Sequence, residues 1–366
     1  MRHFKIILGL FLMLYATNAE ACRYTIREIG FSTLSRVTYV IYRVDDGSAL
    51  FPKQQALSFS NSNIKTYGLN INEDKISPIV AFVKSQNLAF PAYVLKDKNG
   101  RMLAMTETDY KNNLKSSILS SPVQTKLLKN LPRNYASVIL IEGYNAADNK
   151  MAKETVLKSC ERITNIMPNM PKQVDVGPDM IAISQSQFQE EKVLLWSLGV
   201  DVMPAEPAAF ILYGKGRMMG EKITFQKIIE DSVYKLLAII GADCECGLDR
   251  KWMLGYQIPL DWPKDTRQGL SDRLGFDVDN PMVLTEMSRI LAIENRVPVA
   301  PDGVSYEPVV INLDDEFDDI PEIKHNETNK ETEASEENYG MVIWYSLIAF
   351  VILIGVGVVF IVKQKK

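Results

Sequence analysis

Histidine is almost missing from this 366-residue chain: there are two, His3 and His325. Everything between them lacks the side chain that serves most often as a general base. Ser-His-Asp and Cys-His nucleophile arrangements and His-ligated zinc are therefore excluded from any body folded there. Cysteine is nearly as scarce. Cys22, Cys160, Cys244 and Cys246 are the full set, and no two are spaced as Cys-x-x-Cys. A basic field is missing too. The formal net charge is −4, and residues 22–313 sum to only +1, so the clustered positive charge that nucleic acid requires is absent and no nucleic-acid partner is expected.

What the sequence has in quantity lies at its ends. Arg2 and Lys5 precede the apolar run "IILGLFLMLYA", and Ala19-Glu20-Ala21 follows. This is the pattern of a secretory signal peptide, 1–21, cleaved after Ala21. Eleven apolar residues fall short of the roughly 20 needed to span a bilayer. Cleavage leaves Cys22 first, where lipidation is an alternative that the acidic Glu20 opposes. Residues 341–362 are 22 residues without a charge, long enough to cross a membrane. The tail 363–366, "KQKK", favours the cytoplasmic side. Between body and span, 313–340 holds eleven acids against two lysines and reads as a disordered acidic stalk. The expectation is a single-pass membrane protein with its body outside the cytoplasm, in a bacterial periplasm or at a cell surface. A eukaryotic secretory compartment is the alternative.

The body repeats itself. "PAYVLKDKNGRM" at 91–102 returns as "PAAFILYGKGRM" at 207–218. Around each phrase the patterning runs strand, helix, strand, helix, proline, strand, turn, strand, helix. In the first copy strands are expected at 35–45 and 63–72, a helix at 76–88 with Pro78 in its first turn, an Asn-Gly hairpin turn, and a closing helix at 110–128. In the second, strands are expected at 135–143 and 179–185, and Gly199 ends a helix that begins near Gln187. Alternating strands and helices argue for an α/β fold with parallel pairing, and the hairpin after each proline makes each sheet mixed.

This order resembles the thioredoxin fold, and the two phrases carry the resemblance. In that family a proline, usually cis, precedes the third strand. The resemblance implies cis bonds at Pro91 and Pro207, each beside a groove that offers backbone hydrogen bonds to extended polypeptide. It also marks a departure. Where the family carries its dithiol, after the first strand, these copies have "DDGSALF" (45–51) and "EGYNAADNK" (142–150). Thiol chemistry is not carried over.

The expected organisation is two tandem thioredoxin-like domains with mixed sheets flanked by helices, at 22–130 and 131–243. A small, mostly helical module follows at 244–312, then the stalk and the transmembrane helix. Cys22, Cys160, Cys244 and Cys246 are candidates for disulfides, whose connectivity is open. Cys244 and Cys246, one residue apart, are alternatively a redox or soft-metal pair. Asn280-Pro281 fits a helix start running to about Arg296, and the preceding "GFDVDNP" a capped turn. Trp252, Met253, Tyr256 and Trp262 are expected to pack the module onto the second domain; a partner-binding surface is the alternative. No cofactor and no metal are expected. The functional expectation is a non-catalytic, membrane-anchored binding or scaffold protein with a protein or peptide partner; the alternative is thiol–disulfide or metal handling at Cys244 and Cys246. Protease added to intact spheroplasts should release the body by cutting within 314–339. Digestion of the C-terminus with the body protected would reverse the orientation.

Overall fold

The computed structural model describes residues 23–34, 36, 39–47, 59–106, 109, 113–170, 172–242 and 254–292. All of them belong to one compact unit, residues 1–321; a second unit, 322–366, lies outside the described residues. The first element is a short helix, α1 (Ile26–Gly30). It holds its shape through reciprocal capping: Glu28 N–H donates to Thr25 Oγ1, and Thr25 N–H donates to the Glu28 carboxylate at 2.7 Å.

The first sheet follows: β1 (Tyr39–Asp45), β2 (Ile64–Asn70), helix α2 (Pro78–Ser85), then β3 (Ala92–Lys96) and β4 (Met102–Met105). Its order is β2-β1-β3-β4, with β1–β2 parallel and the other pairs antiparallel. Helix α2 begins at Ser77, whose hydroxyl accepts from Ile79 N–H, and Pro78 sits in its first turn. The β3–β4 turn needs Gly100, at φ +86°. Asp97 braces it by accepting from Asn99 N–H, Arg101 N–H and Arg101 Nε.

The closing helix expected over 110–128 is instead two, α3 (Leu114–Leu119) and α4 (Pro122–Asn130). Pro122 is the reason. It has no N–H to donate and disfavours helical backbone at the residue before it. Ser121 is accordingly extended, and it caps α4 in a second reciprocal box with Gln124.

The second copy contains β5 (Ser137–Ile141), α5 (Ala146–Ile166), β6 (Asp179–Ile183), α6 (Lys192–Ser197), β7 (Ala208–Tyr213), β8 (Arg217–Thr224) and α7 (Glu230–Ile240). Its order, β6-β5-β7-β8, and its pairing senses repeat those of the first sheet. Every residue of β5 and β7 is buried, as expected of central strands covered on both faces. One face packs Val138, Leu140 and Ile211 against α5 and α7. The other packs Ile139, Phe210 and Leu212 against α6 and, from outside the copy, Phe31, Val123, Leu127, Ile258, Leu260 and Trp262.

That last contact set crosses the expected boundaries. Tyr24, Ile26 and Ile29 of the N-terminal segment, and Val123 and Leu127 of α4, lie in cores of the second sheet. The segment after 254 also meets both copies. It forms isolated antiparallel bridges to both copies, Arg217 with Gln257 and Ser62 with Asp261, before α8 (Lys264–Leu274) and α9 (Pro281–Ala292). Asn280 caps α9 as expected, accepting from Met282 N–H. The turn before it is an Asp277-capped turn, with Asp279 N–H donating to the Asp277 carboxylate.

Arg217, from the repeated phrase, is 0% exposed. Its guanidinium donates to the carbonyls of Gly30, Ser32, Leu34 and Gly255, the closest at 2.6 Å. Backbones meet closely beside it: a Cβ on Gly214, at φ +55°, would lie 2.3 Å from Gly30 C. Arg101, its counterpart in the first copy, donates to Trp196 O at 2.8 Å and lies over the Trp196 ring, but its side chain is 32% exposed. Replacing Arg217 by Met strands several buried carbonyls and should cost about 3 kcal/mol or more. Arg101→Met, nearer solvent, should cost about 1 kcal/mol. Urea unfolding of both variants checks the contrast, and equal losses would contradict it.

Candidate functional site

The resemblance noted in the sequence places its groove where the central strand ends beside the proline. In the first copy, antiparallel register sets Val44 against Ala92, so the next step sets Asp45 against Pro91. The Phe90–Pro91 bond is cis. Asp45 is 2% exposed. One of its carboxylate oxygens accepts from Gly47 N–H at 3.1 Å, and the other, Oδ2, is buried with no hydrogen-bond partner. On its far side Asn70 is its partner in β2, and Ile71 N–H donates to the Asp45 carbonyl. Asn72 links the same end by donating from Nδ2 to Asp46 O. Phe90 is 38% exposed. The strand end thus presents a buried acceptor, a cis proline and an accessible aromatic ring. Residues 48–58, which follow, lie outside the described residues.

The second copy is built differently at the same place. Register sets Ile141 against Ala208, which brings Glu142 opposite Pro207. Among the described residues the cis bond at Pro91 is the only one, so the expected cis bond before Pro207 is not there, and Pro207 is buried. The loop after β5 explains the difference. Tyr144 N–H donates to Ala205 O at 2.9 Å, and a Cβ on Gly143 would lie 2.5 Å from that oxygen. The Asn149 side chain brackets Gly143, accepting from its N–H and donating to its carbonyl, and Gln185 Nε2 donates to the same carbonyl. The protein's own loop thus packs on the backbone of residues 205 and 206. Pro207 thus lacks the cis bond that the resemblance implied.

Of the four cysteines, only Cys160 is among the described residues. Cys160 is on α5, a free thiol, 5% exposed. Burial pushes its pKa up to about 12. Cys22, Cys244 and Cys246 lie outside the described residues, as do Trp252 and Met253. Trp262 is buried in the second copy's core. Tyr256 instead packs on the first copy's core, edge-on to Tyr39. No group of three or more acids, cysteines or histidines that could hold a metal occurs among the described residues. Sequence reasoning missed Asp45 and the two arginines as site and joint residues. The arginines were signalled by closing both copies of the repeated phrase; Asp45 had no signal beyond its place at a strand end.

No family model and no curated protein matches the chain. Among solved structures it is similar to the first two thioredoxin domains of Saccharomyces cerevisiae Eps1p, at 11% identity over 58% of this chain and 94% of that one, TM-score 0.22. It is also similar to the same domains of Naumovozyma dairenensis Eps1p (12%, 57% and 92%, TM-score 0.18) and to zinc-bound human ERp44 (12%, 60% and 61%, TM-score 0.19). These are thioredoxin-domain proteins. At such scores they add no argument of their own, and the fold reading rests on strand order, register and the proline position described above.

A thiol held in its protonated form by burial reacts slowly, because the thiolate is the nucleophile. Cys160 should therefore resist maleimide at pH 8 in the folded protein and react on unfolding in urea. Mass spectrometry of the Cys160 peptide reads the outcome, and rapid native labelling would show the thiol to be accessible.

Proposed function

We propose that this chain is a non-catalytic binding or scaffold protein built on two tandem thioredoxin-like domains. Residues 341–362 hold it at a membrane, with the body outside the cytoplasm. No helix among the described residues is long and apolar enough to cross a membrane, and the proposed span lies outside them. The observation that carries the reading is the contrast between the two strand ends. The first has the exposed Phe90 near a buried carboxylate with a spare acceptor, while the second has its own loop packed on residues 205 and 206. One groove serves binding and the other serves cohesion. The partner is an extended polypeptide that donates a backbone N–H near Asp45 and seats an apolar side chain by Phe90.

A photoreactive phenylalanine analogue placed at position 90 should capture a reproducible partner from native membranes. The same probe at position 206 should capture little. Asp45→Asn keeps the shape of the side chain but removes its charge, and should weaken capture at position 90 by about tenfold, the scale of one hydrogen bond to a charged group. Equal capture at both positions, or none at either, would remove the proposal. Reduction of insulin by the protein, lost in Cys246→Ser, would put thiol chemistry in its place.

A further inference from the structure

Where the residues after α1, the loop before β2, the β7–β8 hairpin and the α8–α9 turn meet, the fold forms a cavity of about 50 Å³ that is open to solvent on one side. Three cations line it, Arg36, Lys215 and Arg267, against one acid, Asp279. Lys215 is 5% exposed. Its Nζ lies 3.0 Å from one Asp279 oxygen, and Arg267 reaches the other at 3.9 Å. A single carboxylate thus faces three positive groups. Burial lowers the Lys215 pKa, and so do the neighbouring Arg36 and Arg267, as expected where positive charge is in excess.

Four residues that line the cavity also carry polar atoms that nothing satisfies. Ser32 Oγ, Gln257 Oε1, Trp262 Nε1 and Arg267 Nε are buried and have no hydrogen-bond partner. Ser32, Gln257 and Trp262 are each 4% exposed or less. Native interiors leave few such atoms, and four among the residues of one cavity call for a ligand. The indole and guanidinium nitrogens can only donate, so that ligand accepts hydrogen bonds and carries negative charge. Gln257 adds a finer requirement. Its Nε2 donates to Lys215 O at 3.1 Å, which fixes the amide orientation and turns Oε1, an acceptor, to the unpartnered side. The ligand must therefore carry a proton as well. On this scale a water occupies about 10–15 Å³, so the space is that of roughly three to five waters.

We propose that this cavity binds a small protonated oxyanion, represented by inorganic hydrogen phosphate. Trp262, Arg267, Arg36 and Lys215 would surround its oxygens, and its hydroxyl would donate to Gln257. The bound ion joins the N-terminal segment, both copies and the C-terminal helices at one point, and so favours the folded state by mass action.

The test uses the full-length chain, solubilised in detergent, with calorimetry and thermal unfolding in phosphate, sulfate and chloride at matched ionic strength. Phosphate should bind saturably and raise the melting temperature, and sulfate, with no proton to offer Gln257, should bind several-fold more weakly. Trp262→Phe keeps the ring packing but loses the N–H; it and Arg267→Gln should each weaken phosphate binding about tenfold or more while circular dichroism stays native. Gln257→Leu should bring phosphate and sulfate closer together. Phosphate acting no differently from chloride, or binding unchanged in both Trp262→Phe and Arg267→Gln, would overturn the site. Equal phosphate and sulfate affinity in the wild type would overturn the role of Gln257. Binding of a phosphoserine peptide without binding of free phosphate would overturn the assignment to a free ion.

Discussion

A guanidinium without solvent is the joint on which this molecule depends. Arg217 leaves β8 at the end of the repeated phrase and spends its donors on carbonyls of the chain leaving α1 and of the segment that begins at 254. A buried charge is costly unless its hydrogen bonds are met. Here they are met by carbonyls just past a helix C-terminus, where unpaired acceptors and the negative end of the helix dipole both favour a cation. Arg27 works the same way from within α1, donating to Leu131, Pro132 and Asn134 carbonyls, and burial lowers its pKa to about 10. Two buried arginines thus tie the N-terminal segment to the second sheet from both sides.

These ties change what the repeat means. A duplicated unit would be expected to close its own core, yet α4 fills a face of the second sheet and Trp196 of α6 lies in the first copy's core. Glu191 marks the exchange: its carboxylate, 0% exposed, accepts from Ser121 Oγ and Val123 N–H at the start of α4. Desolvation raises its pKa, so the group resists charge at the seam and is held there by those two hydrogen bonds. The two copies are a single packing unit, and mutations at the seam act on both.

Symmetry also breaks at the strand ends. Both copies bring an acidic residue opposite a proline, Asp45 with Pro91 and Glu142 with Pro207. Only the second has Gly143, whose missing Cβ lets residues 205 and 206 pack onto the loop. One glycine, with Asn149 to fix its amide, separates a strand end on which the protein's own loop packs from one where that packing is missing.

Strand and helix order, the hairpin turn at Gly100, the capped start at Asn280 and the doubled phrase were all legible in the sequence. They depend on period, turn residues and caps within a few positions of one another. The missing Cys-x-x-Cys was equally plain, since spacing alone decides it. Pro122 was visible too, but its effect in splitting α3 from α4 went unread, although the rule that proline interrupts a helix applies locally. The tertiary structure alone decided the partners: that α1 and α4 pack on the second sheet, that Arg217 is buried, that Asp45 has a spare oxygen, and that Arg36, Lys215 and Arg267 share one cavity. Those facts join residues as much as 231 positions apart. A local pattern states which face of an element is apolar, but nothing in it states which distant face will cover it.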